Sequence, residues 1–168
     1  MLYFLLFAAL IASCVFAFFN MPMFGKLPAG ERLMRIQQSP NYKNGKFSNL
    51  SHTPDLTEGA TYFSVLKDFL FSRTAHLRPA TEIPSVKTNL HNLPAHDDVL
   101  VWFGHSSYFM QLSGKTVLVD PVLSGSASPL PGGTKAFNGA DIYSADDMPE
   151  IDFLFITHDH WDHLDYDT

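Results

Sequence analysis

Cysteine is nearly absent: Cys14 is the single one in 168 residues. That excludes an intrachain disulfide framework and a thiolate metal site, so any metal ion must be held by imidazole and carboxylate. Basic side chains are scarce too, with 11 Lys and Arg against 17 Asp and Glu and a formal charge of −6. Phosphate backbones are gripped by clustered Lys and Arg, and the lack of such a cluster argues against a nucleic-acid partner. No Lys or Arg follows Lys135, whereas Asp146, Asp147, Glu150, Asp152, Asp159, Asp162, Asp165 and Asp167 all do. An acidic run is ordinarily a solvated face, but from Asp159 onward histidines are interleaved with it.

Charged side chains are also missing from Met1 to Phe19, MLYFLLFAALIASCVFAFF. The stretch is close to the roughly 20 apolar residues that span a bilayer as a helix. It reads as a membrane anchor, residues 1–19. Lys26, Arg32 and Arg35 follow it with nothing basic before it, which places the downstream chain on the cytoplasmic side. Two alternatives stand: an exported chain cleaved after Val15-Phe16-Ala17, or a lipoprotein processed at Cys14 in Ile11-Ala12-Ser13-Cys14.

Residues 20–97 read as a linker and helical extension. Pro22, Gly25, Pro28, Gly30, Pro40, Asn41, Asn44 and Gly45 interrupt the chain, leaving room for a short helix over Glu31–Gln38. Asp55-Leu56-Thr57-Glu58 has capping-box spacing, and Tyr62, Phe63, Val65, Leu66, Phe69 and Leu70 recur at helical intervals. One amphipathic helix over Thr57–Ser72 is predicted, its aromatic stripe serving packing. His52, His76, His91 and His96 are spaced without any pattern for joint ligation and read as loop histidines. Asn49-Leu50-Ser51 fits a glycosylation triplet.

From residue 98 the texture changes. Val99–Phe103, Tyr108–Leu112 and Thr116–Val119 read as consecutive strands, the last two joined by a hairpin turn at Ser113-Gly114-Lys115. After a Gly-, Ser- and Pro-rich loop, Ile151–Thr157 predicts a fourth strand, apolar enough to be buried on both faces. It runs into His158-Asp159-His160-Trp161-Asp162-His163. In extended backbone, residues two apart point the same way, so His158 and His160 can converge on one ion. A bend toward a helix starting at Leu164, with Asp165 as its cap, would gather Asp162 and His163 around a second. This donor set suits zinc, and also manganese or iron. Paired ions about 3.5–4 Å apart are suited to activating water, so the pattern predicts hydrolysis.

His158, His160, Asp162 and His163 reproduce the His-x-His-x-Asp-His hallmark, and the chain resembles the metallo-β-lactamase superfamily. Trp102-Phe103-Gly104-His105-Ser106-Ser107, Leu118-Val119-Asp120-Pro121, Ser126-Ala127-Ser128-Pro129 and Leu164-Asp165-Tyr166 are similar in order and spacing to the branch of N-acyl-phosphatidylethanolamine-hydrolysing phospholipase D and its bacterial relatives. The resemblance implies a mixed α/β fold, the αββα sandwich, with its first half in residues 98–168. It implies two zinc ions, the first on His158 and His160, the second on Asp162 and His163, with Asp162 also managing the proton of the attacking water. Asp120 would orient a ligand from behind, and His105 would lie near the mouth of the site. The diiron flavoproteins of the superfamily carry Glu where His160 stands, and the antibiotic-hydrolysing branch commonly has Cys where His163 stands. The His-rich set here therefore favours hydrolysis by a dinuclear site.

The resemblance also implies a third histidine for the first ion, a bridging aspartate and a final histidine beyond Thr168. The chain is accordingly expected to be an N-terminal fragment that binds zinc weakly and lacks activity alone. The expected whole is a membrane-associated phosphodiesterase acting on a phospholipid-like or other small-molecule substrate. The alternatives are a lactonase or ester hydrolase of the same fold, and a non-catalytic membrane protein retaining it.

Overall fold

In a computed structural model, residues 1–72, 77–130 and 133–168 are described. His76 lies outside them. The chain divides into two compact units, Met1–Thr74 and Ala75–Thr168, and each is taken by itself.

The first unit opens with α1, Leu2–Phe19, an 18-residue helix with no buried residue. Its mean hydropathy of 2.5 makes it long and apolar enough to cross a membrane, a character that signal segments share. Gly30–Gln37 forms α2 close to where the short helix is predicted. A two-stranded hairpin, β1 (Tyr42–Lys43) and β2 (Lys46–Phe47), follows where only breaks in the chain were read. Asn44 and Gly45 both take positive φ, 53° and 81°, which is the two-residue turn that Asn-Gly favours. Tyr42 and Phe47 stack edge-on across it at 5.2 Å.

The predicted helix over Thr57–Ser72 is shorter, α3 being Tyr62–Phe71. Gly59 adopts φ 82°, outside helical geometry, and the capping box forms six residues later than read. Ser64 N donates to Thr61 Oγ1 at 3.1 Å and Thr61 N donates to Ser64 Oγ at 2.9 Å. Asp55 instead accepts a hydrogen bond from the Tyr62 hydroxyl.

The second unit is built on a four-stranded mixed sheet in chain order: β3 (Val99–Gly104), β4 (Ser107–Leu112), β5 (Lys115–Val119) and β6 (Phe153–Phe155). The first three strands are antiparallel and match the prediction closely. Ser113 and Gly114, at φ 50° and 74°, make the tight turn between β4 and β5. β6 pairs parallel with β5, so the carboxyl ends of these two strands lie side by side. Val101, Phe109, Leu118 and Leu154 align across the sheet on one face. Phe109 is fully buried there, within a core shared with Leu90, Phe103, Leu118 and Tyr143. Phe103 and Tyr143 rings meet at 4.7 Å, and the Tyr143 hydroxyl accepts from Thr88 N. Leu90 belongs to the stretch read as linker, yet it is one of the most buried residues of this unit. Gln111 adds to the same attachment, donating to the carbonyls of Pro94 and Asp97.

Two expectations fail here. The fourth strand spans three residues rather than seven, and all three are exposed rather than buried on both faces. Before it, the Asp152 carboxylate turns back to accept from Thr116 N and Lys115 Nζ; after it, Thr157 N donates to a side chain instead of a neighbouring strand. Residues 164–168 form no helix. Asp165 caps a turn instead, accepting from Ser124 N at 2.9 Å and Thr168 Oγ1.

Lys115, hydrogen-bonded at 2.6 Å, and then Thr116 N hold the Asp152 carboxyl down to about 2. The usual aspartate value is about 3.9, so the fold favours the charged form. That stabilisation is complete above about pH 4 and disappears as the pH falls through about 2. Asp152→Asn is expected to lower the urea midpoint at pH 6 and to match the unsubstituted chain at pH 2; an equal gap at both pH values would contradict the linkage.

Candidate metal centre

Strand topology brings the chemistry-bearing residues to one end of the sheet. Asp120 follows β5, Thr157 and His158 follow β6, and the Gly104-His105-Ser106 turn joins β3 to β4 at the same end. Asp120 N donates to Phe155 O at 2.9 Å, extending the β5–β6 pairing by one residue. The chain then leaves the sheet, with Asp120 at φ 42° before Pro121.

Asp120 is 1% exposed, and among the described residues every hydrogen bond to its carboxylate comes from Thr157 or His163. Oδ1 accepts from Thr157 N at 2.7 Å, and Oδ2 accepts from Thr157 Oγ1 and from His163 Nδ1, both at 2.7 Å. Burial pushes its pKa up, but the hydrogen bonds from His163 and Thr157 outweigh that and bring it below the ordinary value. Asp120 is therefore the anionic acceptor. Its carbonyl is fixed as well, by Ser107 Oγ at 2.5 Å.

Proton counting then sets the two nearest imidazoles. His163 gives its Nδ1 hydrogen to Asp120, leaving Nε2 with a lone pair. Thr157 has one hydroxyl hydrogen and gives it to Asp120, so at 3.0 Å it can only accept from His158 Nδ1. His158 is thereby left with its lone pair on Nε2. Ser106 Oγ, 3.0 Å from His163 Nδ1, braces the same ring. Thr157 and Ser106 were not singled out from the sequence. Their signal was their position, each directly beside a histidine in the motif blocks.

The four hallmark residues are brought together. The rings of His158 and His160 lie 4.6 Å apart and those of His158 and His163 3.8 Å apart. Asp162 Oδ2 is 3.9 Å from His163 Nε2 and 3.1 Å from His105 Nε2. Among the described residues, His105, Asp162 and His163 are the group of three whose donor atoms converge, all within 4.8 Å of one another. His160 and Asp162, with Asp159, Trp161, Ala127 and Thr134, line a cavity of about 380 Å³. The donor set fits a divalent cation: three imidazoles and a carboxylate, with Nδ1 of His158 and of His163 engaged by partners behind the rings.

Residues 99–168 match the family described as the β-lactamase superfamily domain. That segment belongs to the superfamily. Its mixed α/β sheet, with the motif residues gathered at strand ends, is the fold that the sequence resemblance implied. An uncharacterized protein of Mycobacterium tuberculosis is 35% identical over 133 residues, 79% of this chain and 36% of that one. N-acyl-phosphatidylethanolamine-hydrolyzing phospholipase D 1 of Caenorhabditis elegans is 33% identical over 146 residues, 79% of this chain and 38% of that one. A 4-amino-L-phenylalanyl-carrier-protein 3-hydroxylase of Streptomyces venezuelae is 43% identical over 75 residues, 44% of this chain and 13% of that one. Shorter matches run to proteins described as metal-dependent hydrolases. The chain spans little more than a third of the length of the relatives it matches over most of its own. The family match and these relatives support a metal-dependent hydrolase family for residues 99–168.

Removing the Asp120 carboxylate releases both rings. Asp120→Ala is expected to turn His163 from a single Nδ1–H tautomer into a mixture, read as a shift of its ring nitrogens in long-range ¹H–¹⁵N spectra. The orphaned Thr157 N–H adds a stability loss of about 1–3 kcal/mol. Unchanged His163 ring shifts in the variant would contradict the orienting role.

Proposed function

We propose that the whole protein is a zinc-dependent hydrolase whose substrate is a phosphodiester of phospholipid type. The observation that carries the reading is the convergence of His158, His160, Asp162 and His163 at the end of β6 over a buried, anionic Asp120. His158 and His160 are assigned to one ion, Asp162 and His163 to the other. Such ions, when bound, lower the pKa of a water and offset charge that develops on the displaced oxygens.

The chain's own contribution is positioning. Asp120 and Thr157 hold His158 and His163 so that Nε2 of each faces outward. Asp162 is partly exposed, 46% at its side chain, and stands where a carboxylate can take a proton from an attacking water. The cavity beside His160 and Asp162 gives room for a substrate group, with the Trp161 ring offering apolar contact.

A lipid substrate is favoured by two features together: α1 on the same chain, and the C. elegans phospholipase among the relatives. Residues 1–19 are read as a membrane anchor, with Lys26, Arg32 and Arg35 on the cytoplasmic side; cleavage for export and lipid attachment at Cys14 are the alternatives. Residues 20–97 connect that anchor to the hydrolase domain beginning near residue 98. A lactonase or ester hydrolase is the second enzymatic reading, since the same activated water attacks carboxyl esters.

The test is metal content and turnover of the whole protein, using N-acyl-phosphatidylethanolamine in mixed micelles, bis(p-nitrophenyl) phosphate and a simple lactone. Zinc near two equivalents is expected, with phosphodiester turnover that falls at least a hundredfold in Asp162→Asn. Turnover of the lactone alone would favour the second reading. Iron in place of zinc would overturn the zinc assignment, and activity that survives metal removal would overturn both readings.

A further inference from the structure

His105 lies 57 positions before Asp162 in the chain, yet its Nε2 is 3.1 Å from Asp162 Oδ2. It is not part of the hallmark, and its backbone is unusual, with φ 48° at the turn between β3 and β4. Positive φ is uncommon for a residue with a side chain, although histidine is among those that adopt it most readily, so the contacts around the turn are what fix this one. The surroundings are visible. Trp102 Nε1 donates to His105 O at 2.9 Å, closing the turn, and Ser106 is tied to His163 Nδ1. The His105 ring meets that of His163 edge-on at 5.1 Å, so it is aimed into the cluster rather than away from the sheet.

We propose that His105 is a metal ligand, completing with Asp162 and His163 a three-donor cation site within residues 105–163. The inference rests on the metal reading for Asp162 and His163 and is independent of any substrate. Donors around a tetrahedral zinc ion at about 2.0–2.2 Å stand roughly 3.3–3.6 Å apart. His105 Nε2 and His163 Nε2 lie 3.1 and 3.9 Å from Asp162 Oδ2, so sub-ångström side-chain movement brings both to that spacing. His163 presents Nε2 because Nδ1 is committed to Asp120. An ion entering between His105 and Asp162 takes the place of the hydrogen their close contact now shares, so binding releases a proton or switches the His105 tautomer to Nδ1–H. Two imidazoles and one carboxylate on one side of an ion leave its other positions open for water and substrate. His158 and His160 remain available for a second ion.

The competing reading is an ordinary surface pair. At 63% and 46% side-chain exposure, a His105–Asp162 contact held only by charge would be screened and contribute little. The two readings differ in what metal does.

The experiment uses the 168-residue chain with Zn²⁺ alone, titrated against a chromophoric chelator, and with Co²⁺ for paramagnetic NMR. His105→Asn is the variant, because Asn tolerates positive φ and keeps the turn. His91→Asn, at an exposed histidine of the 3-10 turn Leu90–Asn92 rather than of a loop, is the control. A hyperfine-shifted ring resonance assigned to His105 in the unsubstituted chain is expected. Zn²⁺ affinity should fall at least tenfold in His105→Asn and stay unchanged in His91→Asn. Metal binding with an unshifted His105 ring, or with equal affinity in His105→Asn, would overturn the ligand assignment and leave the hydrolase reading standing. Failure of the unsubstituted chain to bind either metal would overturn the three-donor site, whereas the hydrolase reading stands or falls on the metal content and turnover of the whole protein.

Discussion

The structure at the sheet end depends on one buried anion. Asp120 sits at 1% exposure and takes three hydrogen bonds from a segment more than 35 residues away. A carboxylate so placed is costly to bury unless its acceptors are filled. Thr157 and His163 fill them, and in doing so they define where the chain must go after β6. The same bonds that neutralise the burial cost also decide which nitrogen of His158 and His163 faces outward. Folding and ligand orientation are thus one event at this site.

Parallel pairing of β5 and β6 makes this possible. It puts two strand ends next to each other, and the antiparallel β3–β4 turn reaches the same edge. Loops leaving one end of a sheet can pool side chains from distant parts of the sequence, which is why binding groups gather there in α/β proteins. Here they come from the β3–β4 turn, the residue after β5 and the segment after β6.

Much of this was readable from residue pattern. Short apolar runs and the Ser113-Gly114 turn located β3, β4 and β5 almost to the residue, and the hallmark spacing singled out His158, His160, Asp162 and His163. Asp120 and His105 came from flanking motif blocks. What escaped has physical causes. The apolar run Ile151–Thr157 looked like a long buried strand, but side chains at both ends capture its backbone groups, and periodicity does not report such captures. The helix over Tyr62–Phe71 starts late because Gly59 breaks the first turn, and two capping-box patterns lie within ten residues. The Tyr42–Phe47 hairpin was legible in Asn44-Gly45 but was taken as interruption. Leu90 gave no signal at all, since a lone apolar residue in a Pro-rich stretch has no period.

The central claim is that Asp120 turns His163 so that Nε2 faces a cation beside Asp162. Anomalous diffraction at the zinc edge from crystals of the zinc-loaded protein tests it directly. The account predicts a peak about 2.0–2.2 Å from His163 Nε2, with Nδ1 still against the Asp120 carboxylate. A metal held through His163 Nδ1, or a peak away from this histidine, would contradict it.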